Sequence, residues 1–238
     1  MIRVAVAGAL GRMGRVAVAA LRSSVGSLAY AGGFARTRVP DEQIVDDLKE
    51  LFARGVDVLL DLTTHPGSVD VSTSAVLHGV RPVIGATGWS DDERAALART
   101  AAERGLGAML VPNFSLGAVV MMRLAEEAAR YFPAAEIVEL HRADKKDAPS
   151  GTARLTAERV GRITGQQPPI HSVRLPGLVA HQEVLFGGSG ELLTIRHDSF
   201  SRECFVPGMF AAVRAVMHAR GLIVGLDSVL DRLPEHAR

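Results

Sequence analysis

Short apolar runs alternate with amphipathic stretches along the first half of the chain. Arg3 to Ala7 reads as a short buried strand, with Val4 and Val6 flanked by small apolar residues. Helical spacing follows over Arg12–Ser23, where Met13, Val16, Ala17 and Leu21 share a face, and Ser27–Phe34 suits a second strand. The pattern then predicts a helix within Glu42–Arg54, a strand over Val56–Leu62, a helix around Val69–Gly79 and a strand at Arg81–Gly85. Ser90-Asp91-Asp92-Glu93 resembles a capping box opening a helix to about Arg104, and Ala108–Val111 is another short strand. Strands alternating with helices at this spacing imply a parallel sheet covered on both faces.

The rhythm changes after Pro112. Ser115–Tyr131 reads as a long helix, Glu136–His141 as a strand and Gly151–Ile163 as a helix. Three strand-like runs follow, His171–Leu175, Ala180–Phe186 and Glu191–His197, and the Gly187-Gly188-Ser189-Gly190 turn with polar alternation suggests antiparallel pairing here. A last helix over Gly208–Arg220 precedes a short tail. The expected fold is α/β, a Rossmann-like doubly wound parallel sheet plus a smaller α+β domain with a mixed sheet. The first domain is expected over 1–112 and 206–238, the second over 113–205.

Composition narrows the classes. At 238 residues the chain holds one large domain or two small ones, with enough core to stand without staples. Its formal charge of +1 argues against a general nucleic-acid binder. Cys204, the single cysteine, makes no internal disulfide, and the eight histidines are scattered without ligand spacing, so no metal is expected. The start, MIRVAVAG, reads as neither signal peptide nor membrane span, and a cytoplasmic protein is expected. The overall balance hides an asymmetry. Residues 1–40 carry no acid but six arginines (Arg3, Arg12, Arg15, Arg22, Arg36 and Arg38), while the remainder holds 21 basic and 26 acidic groups, a net of −5. Either composition drifts locally or this segment faces an anion.

Gly8-Ala9-Leu10-Gly11-Arg12-Met13-Gly14 follows the first strand and opens the first helix. Missing side chains in such a turn let backbone approach a pyrophosphate at the helix's positive end, although tight helix–sheet packing would use the same glycines. A site for NAD commonly ends the second strand with Asp or Glu for the ribose hydroxyls. Here that stretch is Gly32-Gly33-Phe34-Ala35-Arg36-Thr37-Arg38, with two arginines where a 2′-phosphate would be clamped. NADPH is expected over NADH; solvated surface arginines are the alternative.

The segment from Glu139 to Ala153 runs from a strand end through a charged loop to a helix start. Pro149-Ser150-Gly151-Thr152 leaves backbone N–H groups for a carboxylate, which the Thr152 hydroxyl and Lys145 ammonium would complete, and His141 is suited to proton transfer near neutral pH. By residue type alone, a lone histidine and a lysine pair are more often surface features. HRADKKDAPSGTA resembles the signature of the 4-hydroxy-tetrahydrodipicolinate (dihydrodipicolinate) reductase family, E-x-H-H-x-x-K-x-D-A-P-S-G-T-A. The resemblance spans nearly the whole chain. The glycine turn, Asp61-Leu62-Thr63, Gly85-Ala86-Thr87-Gly88-Trp89, Pro112-Asn113-Phe114-Ser115-Leu116-Gly117, Gly177 to Glu183 and Arg196 to Ser199 recur in order.

That resemblance implies a nicotinamide-dependent reductase of the lysine and diaminopimelate pathway. His141 would be the catalytic acid/base, Lys145 a proton donor near the substrate imine, and Gly151 and Thr152 the holders of a substrate carboxylate. Gly8, Gly11, Arg12, Met13 and Arg36, with Thr63, Gly85, Ala86, Thr87, Pro112, Asn113 and Phe114, would line the cofactor site, and Arg202 and Phe205 would approach the nicotinamide. The substrate would be a small cyclic imine dicarboxylate and the assembly a homotetramer. Two features depart from the family pattern. The second histidine of the pair is Arg142, whose fork would bind a carboxylate or point elsewhere, and the Thr156–Ile170 stretch is short. An alternative is a related reductase acting on another amino-acid-derived imine or carboxylate. A second is a dinucleotide sensor that has lost turnover.

Overall fold

The computed structural model describes residues 1–231, which divide into two compact units. One comprises Met1–Phe114 with the residues from Phe205 onward; the other is Ser115–Cys204. Residues 232–238 of the expected tail lie outside the described residues.

The first unit holds strands β1 (Ile2–Ala7), β2 (Leu28–Phe34), β3 (Ile44–Val45), β4 (Val58–Asp61), β5 (Arg81–Ile84), β6 (Gly107–Leu110) and β11 (Gly221–Val224). They form one seven-stranded parallel sheet in the order β11-β6-β5-β4-β1-β2-β3. Val4 to Ala7 and Val58 to Leu60 have no exposed surface, as strands covered on both faces require. Helices α1 (Arg12–Ser23) and α7 (Val206–Val216) contact each other, and α7 packs on β4, β5 and β6. Helices α2 (Leu48–Phe52), α3 (Gly67–Leu77) and α4 (Asp91–Glu103) form a second contiguous set. Strand order reverses between β1 and β4, and in doubly wound sheets ligands bind at the carboxyl ends beside such a reversal.

Four expectations change. The helix placed within Glu42–Arg54 is a 3-10 turn at Pro40–Glu42, the short β3 and only then α2. Ile44 and Val45 are β-branched and pair with Gly33 and Phe34, and the Asp47 side chain accepts from Lys49 N at 2.8 Å to start α2 afresh. The last helix stops at Val216, and the expected tail contributes β11, paired to β6, and α8 (Asp227–Leu230). An apolar run of three residues between Gly221 and Gly225, both at positive φ, is too short for periodicity to read.

The second unit carries β7 (Ala134–His141), β8 (Ile170–Arg174), β9 (Ala180–Gly188) and β10 (Glu191–Ser199), in the order β10-β9-β7-β8. The third change is here: β8 runs parallel to β7, because α6 (Gly151–Thr164) joins them as a crossover, and only β9 and β10 are antiparallel neighbours among the three expected runs. Their hairpin closes at Gly188 and Glu191 over Ser189-Gly190, with Gly190 at φ 79°. Helices α5 (Leu116–Ala128) and α6 pack on this sheet and bury Ile137, Glu139, Gln182, Val184 and Phe186. The fourth change concerns Arg38 and belongs with the site.

Candidate active site

The glycine turn owes its shape to close backbone approach. Gly8 adopts φ +75°, and a Cβ there would lie 2.7 Å from the Leu62 carbonyl oxygen. A Cβ on Gly14 would lie 2.1 Å from the Gly8 oxygen, so α1 starts directly against the end of β1. Gly11 is the N-cap of α1, with no side-chain cap and no acidic residue in the first turn. The helix therefore presents its N–H groups and positive end with no carboxylate to compete, a fit for a pyrophosphate. Arg12 is exposed and Met13 half-buried beside the turn.

The six N-terminal arginines separate into two kinds. Arg3 donates to the carbonyls of Gly55 (2.7 Å) and Arg54 (2.6 Å), Arg15 to Leu10 O (3.3 Å), and Arg22 to Glu42 O (2.6 Å) while lying over the Tyr30 ring. Arg38, expected at the 2′-phosphate, is instead held by Asp46 (2.7 Å) and Glu50 (2.6 Å), and these bonds hold both carboxyls below their ordinary range. The carboxylates come from the β3–α2 segment, beyond the acid-free stretch. Arg12 and Arg36 are exposed and have no side-chain partner among the described residues.

The loops after β4 and β5 are built around one buried carboxylate. Asp61 has no exposure and accepts from Thr63 N (2.9 Å), Thr63 Oγ1 (2.5 Å), Ser68 Oγ (2.6 Å) and Ser72 Oγ (2.9 Å). This fixes Thr63 at the strand end, close to Gly8. After β5, Gly85 is half-buried, Ala86 buried and Thr87 exposed. A Cβ on Gly85 would be 2.8 Å from the Phe114 ring, so that ring lies directly on Gly85. Pro112 is exposed, Asn113 half-buried and Phe114 buried. Arg202 and Phe205, both half-buried, occupy a 3-10 turn where the chain leaves the second unit. Sequence reasoning named Asp61 only within a motif; its signal was a carboxylate closing the otherwise apolar run VLLD.

In the second unit, strand parity puts Ile137, Glu139 and His141 on one side of β7. Glu139 is fully buried, and its carboxylate meets His141 Nδ1 at 2.5 Å, Arg174 Nη1 at 2.9 Å and Nη2 at 2.7 Å, and the Ser150 N–H at 3.2 Å. Burial pushes its pKa up, but hydrogen bonds from Arg174, Ser172 and His141 outweigh this and hold it below the usual carboxylate range. Burial also lowers the His141 pKa, against the raising effect of Glu139. The resting imidazole is therefore neutral at pH 7.

Lys145 Nζ donates to both Asp147 oxygens, at 2.7 and 2.8 Å, which lowers the Asp147 pKa. Arg174 Nη2 also donates to the Asp147 carbonyl at 2.8 Å. Ser150 caps α6 by accepting from Ala153 N at 3.1 Å, and the Gly151 N–H has no protein acceptor among the described residues. A Cβ on Gly151 would meet nothing within 4 Å, so the space above this turn is open. Thr152 follows in the same turn. Arg142 is ion-paired to Asp144 at 2.6 Å. The loop thus brings His141, Lys145, Gly151 and Thr152 into one connected group. Arg174, which sequence reasoning did not single out, is the residue that joins them.

Two family profiles account for nearly all of the chain: dihydrodipicolinate reductase N-terminus over residues 2–114 and C-terminus over 117–230. The 4-hydroxy-tetrahydrodipicolinate reductase of Geobacillus kaustophilus is 42% identical over 266 aligned positions, covering 97% of this chain and 99% of its own. That of Moorella thermoacetica is 43% identical over 97% of this chain and 98% of its own. A solved dipicolinate-bound dihydrodipicolinate reductase from Paenisporosarcina sp. TG-14 superposes with a TM-score of 0.86 at 35% identity, over 96% of this chain and 99% of that one. Scyllo-inositol dehydrogenase from Lactobacillus casei, at TM-score 0.67 and 11% identity over 97% of this chain and 93% of its own, shares the fold alone.

Proposed function

The chain belongs to the dihydrodipicolinate reductase family, and on that premise we propose that it reduces 4-hydroxy-tetrahydrodipicolinate, through dihydrodipicolinate, to tetrahydrodipicolinate in lysine and diaminopimelate biosynthesis. The observation that carries this reading is the group of His141, Lys145 and the α6 N-terminus assembled on Glu139 and Arg174. A dicarboxylate ring needs donors for its carboxylates and a proton source beside it, and this group holds both. Consumption of NADPH in the presence of the product of dihydrodipicolinate synthase tests the proposal; binding without turnover, or turnover only with other imines, would overturn it.

A bound nicotinamide supplies hydride to C4 of the unsaturated cyclic imine left after the hydroxyl departs as water. The chain's own residues do the rest. The Gly151 and Thr152 turn binds one carboxylate through backbone N–H and hydroxyl, and Arg142 exchanges Asp144 for the other. Lys145 faces the imine side, and His141, protonated at Nε2 from solvent once the dicarboxylate is bound, gives that proton to the carbon next to C4 and returns to the neutral form, which completes the reduction. Gly8, Gly11, Arg12, Met13, Thr63, Gly85 to Thr87 and Pro112 to Phe114 hold the dinucleotide, with Arg202 and Phe205 near its nicotinamide.

NADPH is the preferred cofactor, with NADH accepted less well. Support comes from an acid-free β2 exit with Arg36 exposed and, among the described residues, without a side-chain partner. Arg36→Ala is expected to lower kcat/KM for NADPH about tenfold while leaving NADH nearly unchanged, since a charge-assisted bond to phosphate contributes about 1.5–3 kcal/mol. Arg38→Ala is expected to loosen the β3–α2 segment without changing cofactor choice. Steady-state kinetics with both cofactors decide this, and a wild-type preference for NADH would sink it.

The protein works as a homotetramer in the cytoplasm. Support for assembly is the sheet face of the second unit that α5 and α6 leave uncovered, where Leu192 is 66% exposed and Val138, Leu140 and Leu185 are half-buried. Among the described residues no helix is long and apolar enough to cross a membrane. Multi-angle light scattering is expected to give four times the chain mass; a monomer at micromolar concentration would refute the assembly.

A further inference from the structure

Glu139 stands where the parity of β7 calls for an apolar side chain, between Ile137 and the exit at His141. A carboxylate with no solvent contact persists only when every lone pair is served. Here the servants are not scattered. His141 is the proposed acid/base, Ser150 begins the helix whose first turn faces the substrate carboxylate, and Arg174 reaches on to the Asp147 carbonyl. Asp147 in turn grips Lys145. Every segment proposed to touch substrate in this unit is therefore within two hydrogen bonds of one ion pair.

From this convergence we infer that Glu139 and Arg174 are positioning residues. The pair sets the tautomer of His141, the path of the loop that carries Lys145 and the entry of α6. This rests on the reductase reading given above. A carboxylate accepting from Nδ1–H leaves Nε2 as the nitrogen that exchanges protons. Both Nη atoms of Arg174 bond the Glu139 carboxylate and Nη2 also donates to the Asp147 carbonyl, so its planar fork fixes the distance between the histidine and lysine arms. A lysine there would keep the charge and lose the spacing. Of the charged groups around His141, Glu139 raises its pKa, whereas Lys145 and Arg174 lower it.

The test separates positioning from mere structure. A buried ion pair is often replaceable without loss of stability when both partners go together. The Glu139→Gln/Arg174→Gln double variant is therefore expected to fold, and to bind NADPH within about twofold of wild type, because the nucleotide residues lie in the other unit. Its kcat/KM for the dicarboxylate imine is expected to fall about 10²-fold or more. In Glu139→Gln alone, the limb of the pH profile governed by His141 moves to lower pH, since the raising charge is gone. Arg174→Lys falls between the two. Nitrogen-15 shifts of His141 in the wild-type protein are expected to show Nδ1–H. A folded double variant with wild-type kcat/KM, an unmoved limb in Glu139→Gln, or an Nε2–H tautomer in the wild type would overturn the inference. Absence of wild-type turnover would instead defeat the reductase reading. The histidine tautomer and the affinity for dipicolinate as a dicarboxylate probe, expected to drop about tenfold in the double variant, would still report on the pair.

Discussion

Replacing His141 with alanine lowers kcat by about 10²–10⁴-fold, the range typical of a lost general acid or base, and leaves the NADPH dissociation constant nearly unchanged. The separation follows from location. His141 belongs to the second unit and is hydrogen-bonded to Glu139, whereas the glycine turn, Thr63 and Arg36 belong to the first. Lys145→Ala gives a different signature. In the proposed role its ammonium is both charge partner and proton source for an anionic substrate, so KM is expected to rise as kcat falls. Burial keeps the free imidazole neutral at pH 7, while a bound dicarboxylate raises its pKa. The His141 limb is therefore expected at higher pH in kcat than in kcat/KM. Stopped-flow single turnovers with pre-bound NADPH isolate the chemical step. Wild-type rates in His141→Ala would remove that residue from the reaction.

The second large effect is on the turn. An alanine Cβ at Gly14 would sit 2.1 Å from the Gly8 oxygen and 2.8 Å from Ala9 Cα, both backbone atoms that cannot swing aside. The start of α1 must shift away from β1, and overpacking of this kind costs about 1–3 kcal/mol, occasionally more. For a protein of this size each kcal/mol lowers Tm by roughly 2–4 °C. The same shift moves the uncapped N–H groups proposed to receive the pyrophosphate, so NADPH affinity is expected to fall at least about tenfold. Gly11→Ala is the control: its Cβ would meet only the Gly8 oxygen at 3.1 Å, and a smaller loss on both measures is expected. Calorimetry and fluorescence titration of the two variants check this, and equal behaviour of Gly14→Ala and wild type would refute it.

The strands and helices of the nucleotide unit were legible because short apolar runs such as VAVA and VLLD alternate with stretches of helical spacing, one of them opened by the capping box at Ser90 and Glu93. Ile44-Val45 and Gly221–Val224 were not. Each is a short run that gains its identity only from the neighbour it pairs with, β2 or β6. The direction of β8 likewise depends on α6 acting as a crossover, a fact of connection rather than of composition. In the site, His141 and Lys145 could be picked out from a motif of residue types. Arg38 looked like a phosphate ligand until Asp46 and Glu50 were brought to it across a turn. Arg174 showed no sign of its role, because its partners Glu139 and Asp147 are 35 and 27 positions away.

The most direct test follows the hydrogen itself. With NADPH deuterated on the transferred position and substrate generated by dihydrodipicolinate synthase, the product can be trapped and its label located by NMR. The expected result is cofactor consumption matched one for one by tetrahydrodipicolinate carrying deuterium at C4, with a solvent-derived proton on the adjacent carbon. No cofactor consumption, or deuterium at any other ring position, would contradict it.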